Sequence, residues 1–132
     1  DDSIYSCGSN IHGELALETK EEKILNFTLV MENSSVISIS CGCDYNIFLI
    51  SDGTVYVCGN NNRGQLGIES GEFSSNLLRL DVGTTVEFIA ATGNGNFLGD
   101  SEGKLFCFGK TKRFCLPFVV EGISDVVSIC YS

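Results

Sequence analysis

The sequence predicts an all-β fold built from repeated four-stranded antiparallel sheets, and three observations support this. A strand that ends in glycine returns at Gly8, Gly59 and Gly109, at spacings of 51 and then 50 residues. An Asp-Gly dipeptide at 52–53 and a Glu-Gly dipeptide at 102–103 each supply a tight turn. Short apolar runs lie between these turn signals, whereas a sustained helical period of 3.6 residues is missing. A repeat of this length indicates one structural unit that is used several times.

Eleven strands are predicted, and the repeat explains each of them. The first, fifth and ninth combine apolar and aromatic residues and end at one of the three glycines. The second and sixth lead into the next unit, and the tenth follows the loop of the third copy. The third, seventh and eleventh begin with valine, and the fourth and eighth are short apolar runs typical of buried strands. In order, the strands are residues 4–7, 26–31, 36–40, 46–50, 55–58, 76–81, 86–91, 96–99, 105–108, 117–121 and 126–131.

Four strands in each unit have the content of a propeller blade. Residues 14–25 could also contain one helical turn. Equivalent positions of the repeat, such as Cys7 and Cys58 or Ile39 and Ile89, are expected to be buried alike. The residues expected in the core are Ile39, Phe48, Val55, Val57, Leu66, Ile89, Phe97, Leu105 and Ile129.

The composition is that of a globular protein, and the charge is strongly acidic. Hydrophobic residues make up 43% of the chain, charged residues make up 19%, and the formal net charge is −9. Nucleic acid and anionic membranes are therefore not expected as partners, because Lys and Arg must supply affinity for them. A basic protein surface fits this charge, although ordinary solubility explains it more simply. Without a membrane-length apolar run or a signal peptide, a cytoplasmic or nuclear location is expected.

The seven cysteines do not form a pattern typical of a metal site. Cys41 and Cys43 lie close together, but the sequence offers no second pair at zinc spacing. Several other cysteines fall in predicted strands, where Cys is a small buried apolar residue. Reduced thiols in an intracellular protein are the simplest interpretation, and no metal or cofactor is expected.

The single histidine does not point to a catalytic site. His12 aligns with Arg63 and Arg113 in the repeat, and a position that accepts both residue types is a polar loop site rather than a general base. A nucleophile activated by His12 would need a defined cysteine partner, which the sequence does not show. The chain is therefore not expected to be an enzyme. His12, Arg63 and Arg113 are instead candidate contacts on a loop face.

The loop after the fifth strand carries the most specific motif. It reads Cys58-Gly59-Asn60-Asn61-Asn62-Arg63-Gly64-Gln65-Leu66-Gly67, which resembles the repeat of the regulator of chromosome condensation family. In the first copy Gly13-Glu14-Leu15-Ala16 replaces the Gly-Gln-Leu-Gly segment, and the third copy has lost it. A histidine that is common in the family's third strand is replaced by Tyr45 and Gly95. The motif residues expected to be structural are Gly8, Gly13, Gly59, Gly64, Gln65, Leu66, Gly67 and Gly109.

The resemblance implies a seven-bladed propeller, of which this chain would supply roughly two and a half to three blades. Residues 1–132 are then a single partial propeller domain, with repeat units at about 1–53, 54–103 and 104–132. The missing blades would come from a longer polypeptide or from association. A complete small domain is the alternative.

The resemblance also implies a function based on surfaces. A propeller presents loops on two faces, and such loops host binding. The first hypothesis is a protein-interaction scaffold whose partner is another protein, such as a small GTPase or a basic protein. The second is a guanine-nucleotide exchange regulator of a Ran-like small GTPase. The third, an enzyme built on a propeller, is disfavoured because a catalytic site was not found.

Overall fold

The structure is a computed structural model that describes residues 3–32, 34–110 and 115–129. Its regular elements are β-strands, which confirms the all-β prediction. The strands are β1 Ile4–Ser9, β2 Lys23–Met31, β3 Val36–Cys41, β4 Tyr45–Ile50, β5 Val55–Asn60, β6 Phe73–Leu80, β7 Val86–Ala91, β8 Gly95–Asp100, β9 Leu105–Gly109 and β10 Phe118–Val119.

The strands form three antiparallel sheets, which we name blades. Blade 1 contains β1 and β2, blade 2 contains β3 to β6, and blade 3 contains β7 to β10. In blades 2 and 3 each strand pairs with the next along the chain, so both are four-stranded meanders. In the repeat, β1 and β2 correspond to β5 and β6, the last two strands of a blade. The predicted four-stranded antiparallel blades are therefore confirmed in blades 2 and 3.

The blades and the predicted repeat units divide the chain at different points. The unit boundaries near residues 53 and 103 fall in the turns that join β4 to β5 and β8 to β9. The chain changes from one blade to the next between β2 and β3 and between β6 and β7. A blade therefore takes its first two strands from one unit and its last two from the following unit. The division of the chain into units stays a prediction.

The turn between β4 and β5 forms where the Asp-Gly dipeptide predicts it. Gly53 has a φ of 82°, which only glycine adopts freely, and its N–H donates to the carbonyl oxygen of Ile50 at 2.9 Å. The Asp52 carboxylate accepts a hydrogen bond from the N–H of Thr54 at 2.9 Å. In the equivalent turn of blade 3, the buried carboxylate of Asp100 accepts from the N–H groups of Glu102 and Lys104 instead, each at 2.9 Å.

The hydrophobic core lies between blades 2 and 3. Apolar side chains alternate along β4 and β5 and meet those of β8 and β9. The members of this cluster are Tyr45, Ile47, Leu49, Val55, Val57, Leu66, Leu80, Val86, Leu98, Phe106 and Phe108. Of the residues predicted to be buried, Phe48, Val55, Val57, Leu66 and Leu105 are so, while Ile89, Phe97 and Ile129 are half-buried.

Two predictions about burial are wrong: one concerns Ile39, on the face of blade 2 turned away from blade 3, and the other concerns Cys7 in blade 1. Ile39 is 44% exposed. It pairs with Phe48 on the sheet face opposite the core cluster, where blade 1 contributes only two strands among the described residues. Cys7 is exposed whereas Cys58 is fully buried. Cys58 lies in an inner strand and contacts blade 1, while β1 pairs on one side only within the described part of the chain.

The strand predictions hold for ten of the eleven segments. The exception is 126–131, because residues 126–129 form no strand and residues 130–132 lie outside the described residues. Val126 instead donates its N–H to the carbonyl oxygen of Gly103 at 3.2 Å. The optional helical turn at 14–25 is not formed.

Within the described ranges no helix is long and apolar enough to cross a membrane.

Candidate functional site: the repeat-loop face

The loops that follow β1 and β5, at 10–22 and 61–72, lie at the same end of the blades. The turns at 42–44 and 92–94, which join the first two strands of blades 2 and 3, lie at this end as well. The N–H of Cys43 donates to the carbonyl oxygen of Gly93 at 2.9 Å and so links the two turns. We call this end the repeat-loop face, and we call the opposite end, which carries the turns at 51–54 and 101–104, the hairpin face.

An asparagine closes each repeat loop in the same way. The side-chain oxygen of Asn61 accepts from the N–H of Leu66 at 3.0 Å, and that of Asn10 accepts from Leu15 at 3.1 Å. The side-chain amide of Asn61 donates to the carbonyl oxygen of Gly71 at 3.0 Å, and that of Asn10 donates to Glu21 at 3.1 Å. Both asparagines are buried. They satisfy loop backbone groups that would otherwise be buried without partners.

The side chain before the loop leucine, Gln65 or Glu14, accepts a hydrogen bond from a backbone N–H of its own loop. The Gln65 side-chain oxygen accepts from the N–H of Arg63 at 2.7 Å. A Glu14 carboxylate oxygen accepts from the N–H of His12, also at 2.7 Å, and its other oxygen accepts from the hydroxyl of Ser9 at 2.7 Å. Glutamate thus replaces glutamine because only an acceptor is needed at this contact.

The backbone carbonyl oxygens of Glu14 and Gln65 also accept hydrogen bonds from the next blade. The side-chain amide of Asn46 in β4 donates to the carbonyl oxygen of Glu14 at 2.6 Å. Fifty residues later, Asn96 in β8 donates to the carbonyl oxygen of Gln65 at 2.8 Å. The repeat motif therefore forms a contact between blades as well as a turn. Leu66 of the motif is completely buried in the core cluster.

The glycines that end the strands have a steric reason where a neighbouring turn covers them. Gly59 has a φ of 104°, and a Cβ there would collide with the carbonyl oxygen of Asp44. Gly109 has a φ of 85°, and a Cβ there would lie 2.6 Å from the carbonyl oxygen of Asn94. At Gly8, with a φ of 120°, no atom lies within 4 Å of such a Cβ.

Tyr45 occupies the position where the family often has histidine, and it fastens blade 2 to blade 3. Its side chain is only 1% exposed. Its hydroxyl lies 3.0 Å from the carbonyl oxygens of Thr92 and Gly95 and 2.9 Å from the side-chain oxygen of Asn96. Burial raises the pKa of the Tyr45 phenol well above its usual value, so it stays a neutral hydrogen-bond donor.

The predicted loop contacts have different environments. Arg63 is exposed and belongs to none of the ion pairs among the described residues. The imidazole Nδ1 of His12 lies 3.8 Å from a carboxylate oxygen of Asp44, in the turn of the next blade. Nδ1 itself is buried and has no hydrogen-bond partner in the described structure. Arg113 lies outside the described residues. A binding role for these three residues stays a prediction.

The acidic excess of the chain lies mainly on the hairpin face. The basic residues described there are Arg79 and Lys104, and Lys104 pairs with Glu102. The acidic residues described there are Glu32, Asp52, Asp81, Glu87, Asp100, Glu102, Glu121 and Asp125. The repeat-loop face is mixed in charge, with Lys20, Lys23, Arg63 and Lys110 among its acidic residues. The two faces therefore present different charges to a partner.

The described cysteines are free thiols, and burial raises the pKa of three of them. Burial raises the pKa of the Cys58 thiol to about 12, which keeps it protonated and unreactive. Burial also raises the pKa values of Cys41 and Cys107. Among the described residues, no group of three or more His, Cys, Asp or Glu side chains is placed to hold a metal ion.

Sequence reasoning singled out the glycines, Gln65 and Leu66 but missed the asparagines. Asn10 and Asn61 close the loops, and Asn46 and Asn96 join the blades. Both pairs recur at the repeat spacing, which is the signal that could have identified them. The hydrogen bonds between blades link residues that lie 31 and 32 positions apart in the sequence, so the repeat spacing alone does not reveal the partners.

Comparison with known proteins agrees with this geometry. The regulator of chromosome condensation (RCC1) repeat matches residues 1–49, and a second form of the same repeat matches residues 36–65. The chain belongs to the RCC1-like repeat proteins. It is 30% identical to the secretion-regulating guanine nucleotide exchange factor of Bos taurus, covering 97% of this chain and 32% of that protein. It is 25% identical to the RCC1-like G exchanging factor-like protein of Homo sapiens, covering 98% and 30%.

Solved structures show the same fold at lower identity. Human WBSCR16 matches with a TM-score of 0.81 and 23% identity, covering 92% of this RCC1-like chain and 35% of that one. Yeast RCC1 (Prp20), in its complex with Kap60, matches with a TM-score of 0.77 and 18% identity, covering 96% and 32%. The sheets are thus blades of a propeller. The chain spans about a third of the length of these relatives, and the total of seven blades stays a prediction.

Proposed function

We propose that this chain is part of a protein-interaction scaffold that binds a partner through the repeat-loop face. It would act as a regulator rather than a catalyst, as the names of its relatives suggest. A cytoplasmic or nuclear location is part of the proposal.

One observation carries this proposal: the repeat loops have a fixed interior and a variable exterior. Asparagine and leucine recur inside both loops and make the same hydrogen bonds. The outward positions differ, with Ile11 and His12 in one loop and Asn62 and Arg63 in the other. A rigid frame with replaceable exposed side chains is suited to recognition, because little conformational entropy is lost on binding.

Exposed residues on this face give it the mixed character of a protein-binding surface. Ile11 is 61% exposed and lies beside His12, while Arg63 is free of ion pairs within the described structure. Arginine and exposed apolar side chains are frequent where protein interfaces have their strongest contacts. The acidic hairpin face, by contrast, fits a basic partner.

Guanine-nucleotide exchange on a Ran-like small GTPase is the alternative, favoured by the names of two relatives. Prp20p of Saccharomyces cerevisiae, whose solved structure is also similar to this chain, is described with binding properties to Gsp1p and histones. Gsp1p and histones are partners of Prp20p, and a small GTPase and histones are therefore the first partners to test with this chain. The blades that complete the ring would come from a longer polypeptide or from association.

The test compares two exposed arginines on opposite faces. Binding of the 132-residue chain to a Ran-type GTPase and to purified histones is measured with the wild type, Arg63→Glu and Arg79→Glu. The scaffold proposal expects the GTPase to bind and Arg63→Glu to weaken this binding at least tenfold, with little effect of Arg79→Glu.

Three outcomes separate the hypotheses. Accelerated release of a fluorescent GDP analogue from the bound GTPase would support the exchange alternative. Histone binding that is lost at high salt but insensitive to Arg63→Glu would assign a basic partner to the hairpin face. Equal effects of both arginine variants, or a failure of both proteins to bind, would contradict the use of the repeat-loop face for these partners.

A further inference from the structure

The surface where a repeat loop meets the turn of the next blade carries a different charge in the two junctions between blades. Between blades 2 and 3 it contains Arg63 and Gln65 of the loop, together with Asn94 and Lys110 of blade 3. The N–H of Arg63 donates to the side-chain oxygen of Gln65 at 2.7 Å, and the Gln65 amide donates to the side-chain oxygen of Asn94 at 3.3 Å. The N–H of Lys110 donates to the carbonyl oxygen of Asn94 at 2.6 Å. These contacts connect both basic residues to the same turn.

The equivalent residues between blades 1 and 2 include two carboxylates. The repeat places His12, Glu14, Asp44 and Asn60 at these positions. A carboxylate oxygen of Asp44 lies 3.8 Å from the imidazole Nδ1 of His12, and a carboxylate oxygen of Glu14 accepts from the N–H of His12 at 2.7 Å. The N–H of Asn60 donates to the carbonyl oxygen of Asp44 at 2.8 Å, which is the contact that Lys110 makes in blade 3. The backbone arrangement is therefore the same in both junctions, while the charges are reversed.

The two basic residues between blades 2 and 3 have no internal counter-ion in the described chain. Arg63 and Lys110 are exposed and belong to none of the ion pairs in the described ranges. Amides stand where the other junction has its two acids, so this small surface is cationic on a chain whose net charge is −9. Glu69 and Glu72 of the same loop line a separate pocket that neither basic residue borders.

This surface is separate from the faces on which further blades of a propeller pack. Both blades of the junction belong to the described chain, and Gln65 is only 1% exposed between them. The side-chain amide of Asn96 in blade 3 also holds the carbonyl oxygen of Gln65 at 2.8 Å. The loop is thus fixed against blade 3, and little of it has to become ordered when a ligand binds. Two cations on such a frame favour an anionic ligand.

We propose that Arg63 and Lys110 receive side-chain carboxylates from an acidic segment of a partner protein. This inference rests on the proposed use of the repeat-loop face and names the chemistry that the partner presents there. The anion is a carboxylate because, between blades 1 and 2, Asp44 supplies one to the residue equivalent to Arg63. Arginine also matches the planar carboxylate with two parallel N–H groups. An acidic side chain of the partner would then take the place in the second junction that Asp44 has in the first.

The experiment uses the 132-residue chain and a capped hexaglutamate peptide as the probe. Backbone amide signals are followed by NMR as the peptide is added at low ionic strength. Saturable shifts are expected at Arg63 and Lys110, and the signals of His12 and Asp44 serve as internal controls that should not move. The midpoint should be on the order of 1 mM and should rise at least about threefold at an ionic strength of about 0.15 M. Inorganic phosphate is titrated in parallel as a free anion.

The matched variant is Asn94→Asp, which supplies the carboxylate internally as Asp44 does in blade 2. The change keeps an oxygen acceptor for the Gln65 amide, so the loop contact is retained. It should weaken hexaglutamate binding at least about fivefold, because the cations then have an internal counter-ion. Asn76→Asp makes the same chemical change at an exposed position of β6 and controls for net charge. It should weaken binding by no more than about twofold.

A second variant removes one cation without adding an acid. Lys110→Asn copies the residue that blade 2 has at this position. Asparagine also tolerates the positive φ of residue 110, which is 69°. This variant should weaken hexaglutamate binding by about threefold, and unchanged binding would contradict the role of Lys110.

Three results would overturn the proposal as a whole. They are the absence of saturable shifts at Arg63 and Lys110, equal weakening by Asn94→Asp and Asn76→Asp, and tighter binding of inorganic phosphate than of hexaglutamate at the same amides. A GTPase that binds through Arg63 and is insensitive to Asn94→Asp would overturn this inference and leave the scaffold proposal standing. Hexaglutamate binding at these amides, without binding of the GTPase or of histones, would support this inference and contradict those two partners.

Discussion

The junction between blades 1 and 2 and the junction between blades 2 and 3 use the same hydrogen bonds but differ in enclosure. Asn46 and Asn96 make the equivalent contact to the preceding repeat loop in the two junctions. The second junction also contains the core cluster and the buried Tyr45, whereas Ile39, on the blade 1 side of blade 2, is 44% exposed. The repeat loop therefore fixes how blades join, and the inner strands supply the buried apolar surface that stabilises the joint.

The largest expected effect comes from comparing the glycines that end β5 and β1. Gly59→Ala should lower the free energy of unfolding by about 4 kcal/mol, because it adds left-handed strain and a collision with the Asp44 carbonyl. Gly8→Ala adds only the strain, since its surroundings are open, and should cost about 1–2 kcal/mol. Urea unfolding of both variants measures the difference. Equal losses would show that enclosure does not distinguish the two strands.

The loop asparagines should respond alike, because their hydrogen bonds are the same in both junctions. Asn61→Ala and Asn10→Ala each leave a buried leucine N–H without its acceptor, and each should cost about 2 kcal/mol. Urea unfolding again measures the loss, and Asn62→Ala, at an exposed loop position, is the control. A large effect of Asn61→Ala with almost none for Asn10→Ala would mean that the first loop contributes little to stability.

The sequence predicts the repeat, the strands and the turns because these depend on residues close together in the chain. The Asp-Gly turn at 52–53 and the glycine at the end of β5 are local features with local causes. Burial is less predictable, because it depends on what covers a face. Ile39 lies in a β-branched segment typical of a core strand, yet its side chain is 44% exposed. Its exposure depends on how many strands of the neighbouring blade cover it, which the local sequence does not show.

The candidate site is predictable only in part, for the same reason. The alignment of His12 with Arg63 places both in equivalent loops, but the contact of His12 with Asp44 joins segments of different blades. The cavity of about 440 Å³ beside Gly95 lies where Gly95 replaces Tyr45 and Thr92 replaces Gly42 in the repeat. A repeat alignment shows such replacements, whereas only the structure shows that they leave a space.

The motif's final residue offers a stabilising substitution. Ala16 stands where the second loop has Gly67, and both residues have a positive φ, 56° and 70°. An alanine in this conformation is strained, so Ala16→Gly should raise the free energy of unfolding by about 1 kcal/mol. The control is Ala90→Gly in β7, which should lower it by about 0.5–1 kcal/mol because the strand backbone is extended. Destabilisation by Ala16→Gly would show that the positive φ of residue 16 does not strain the alanine in the first loop.

The smallest effect concerns the turn between β4 and β5 at low pH. Hydrogen bonds from the backbone and side chain of Thr54 hold the pKa of the exposed Asp52 below its usual value. A depressed folded pKa means that the ionised carboxylate stabilises the fold above the unfolded value of 3.8, and that this contribution is lost as pH falls through the folded value. Asp52→Asn should therefore reduce slightly the loss of stability between pH 6 and pH 3. Glu121→Gln, an exposed acid on the same face, controls for the change in net charge. An acid dependence that is the same in wild type and Asp52→Asn would assign the acid sensitivity of this face to other carboxylates.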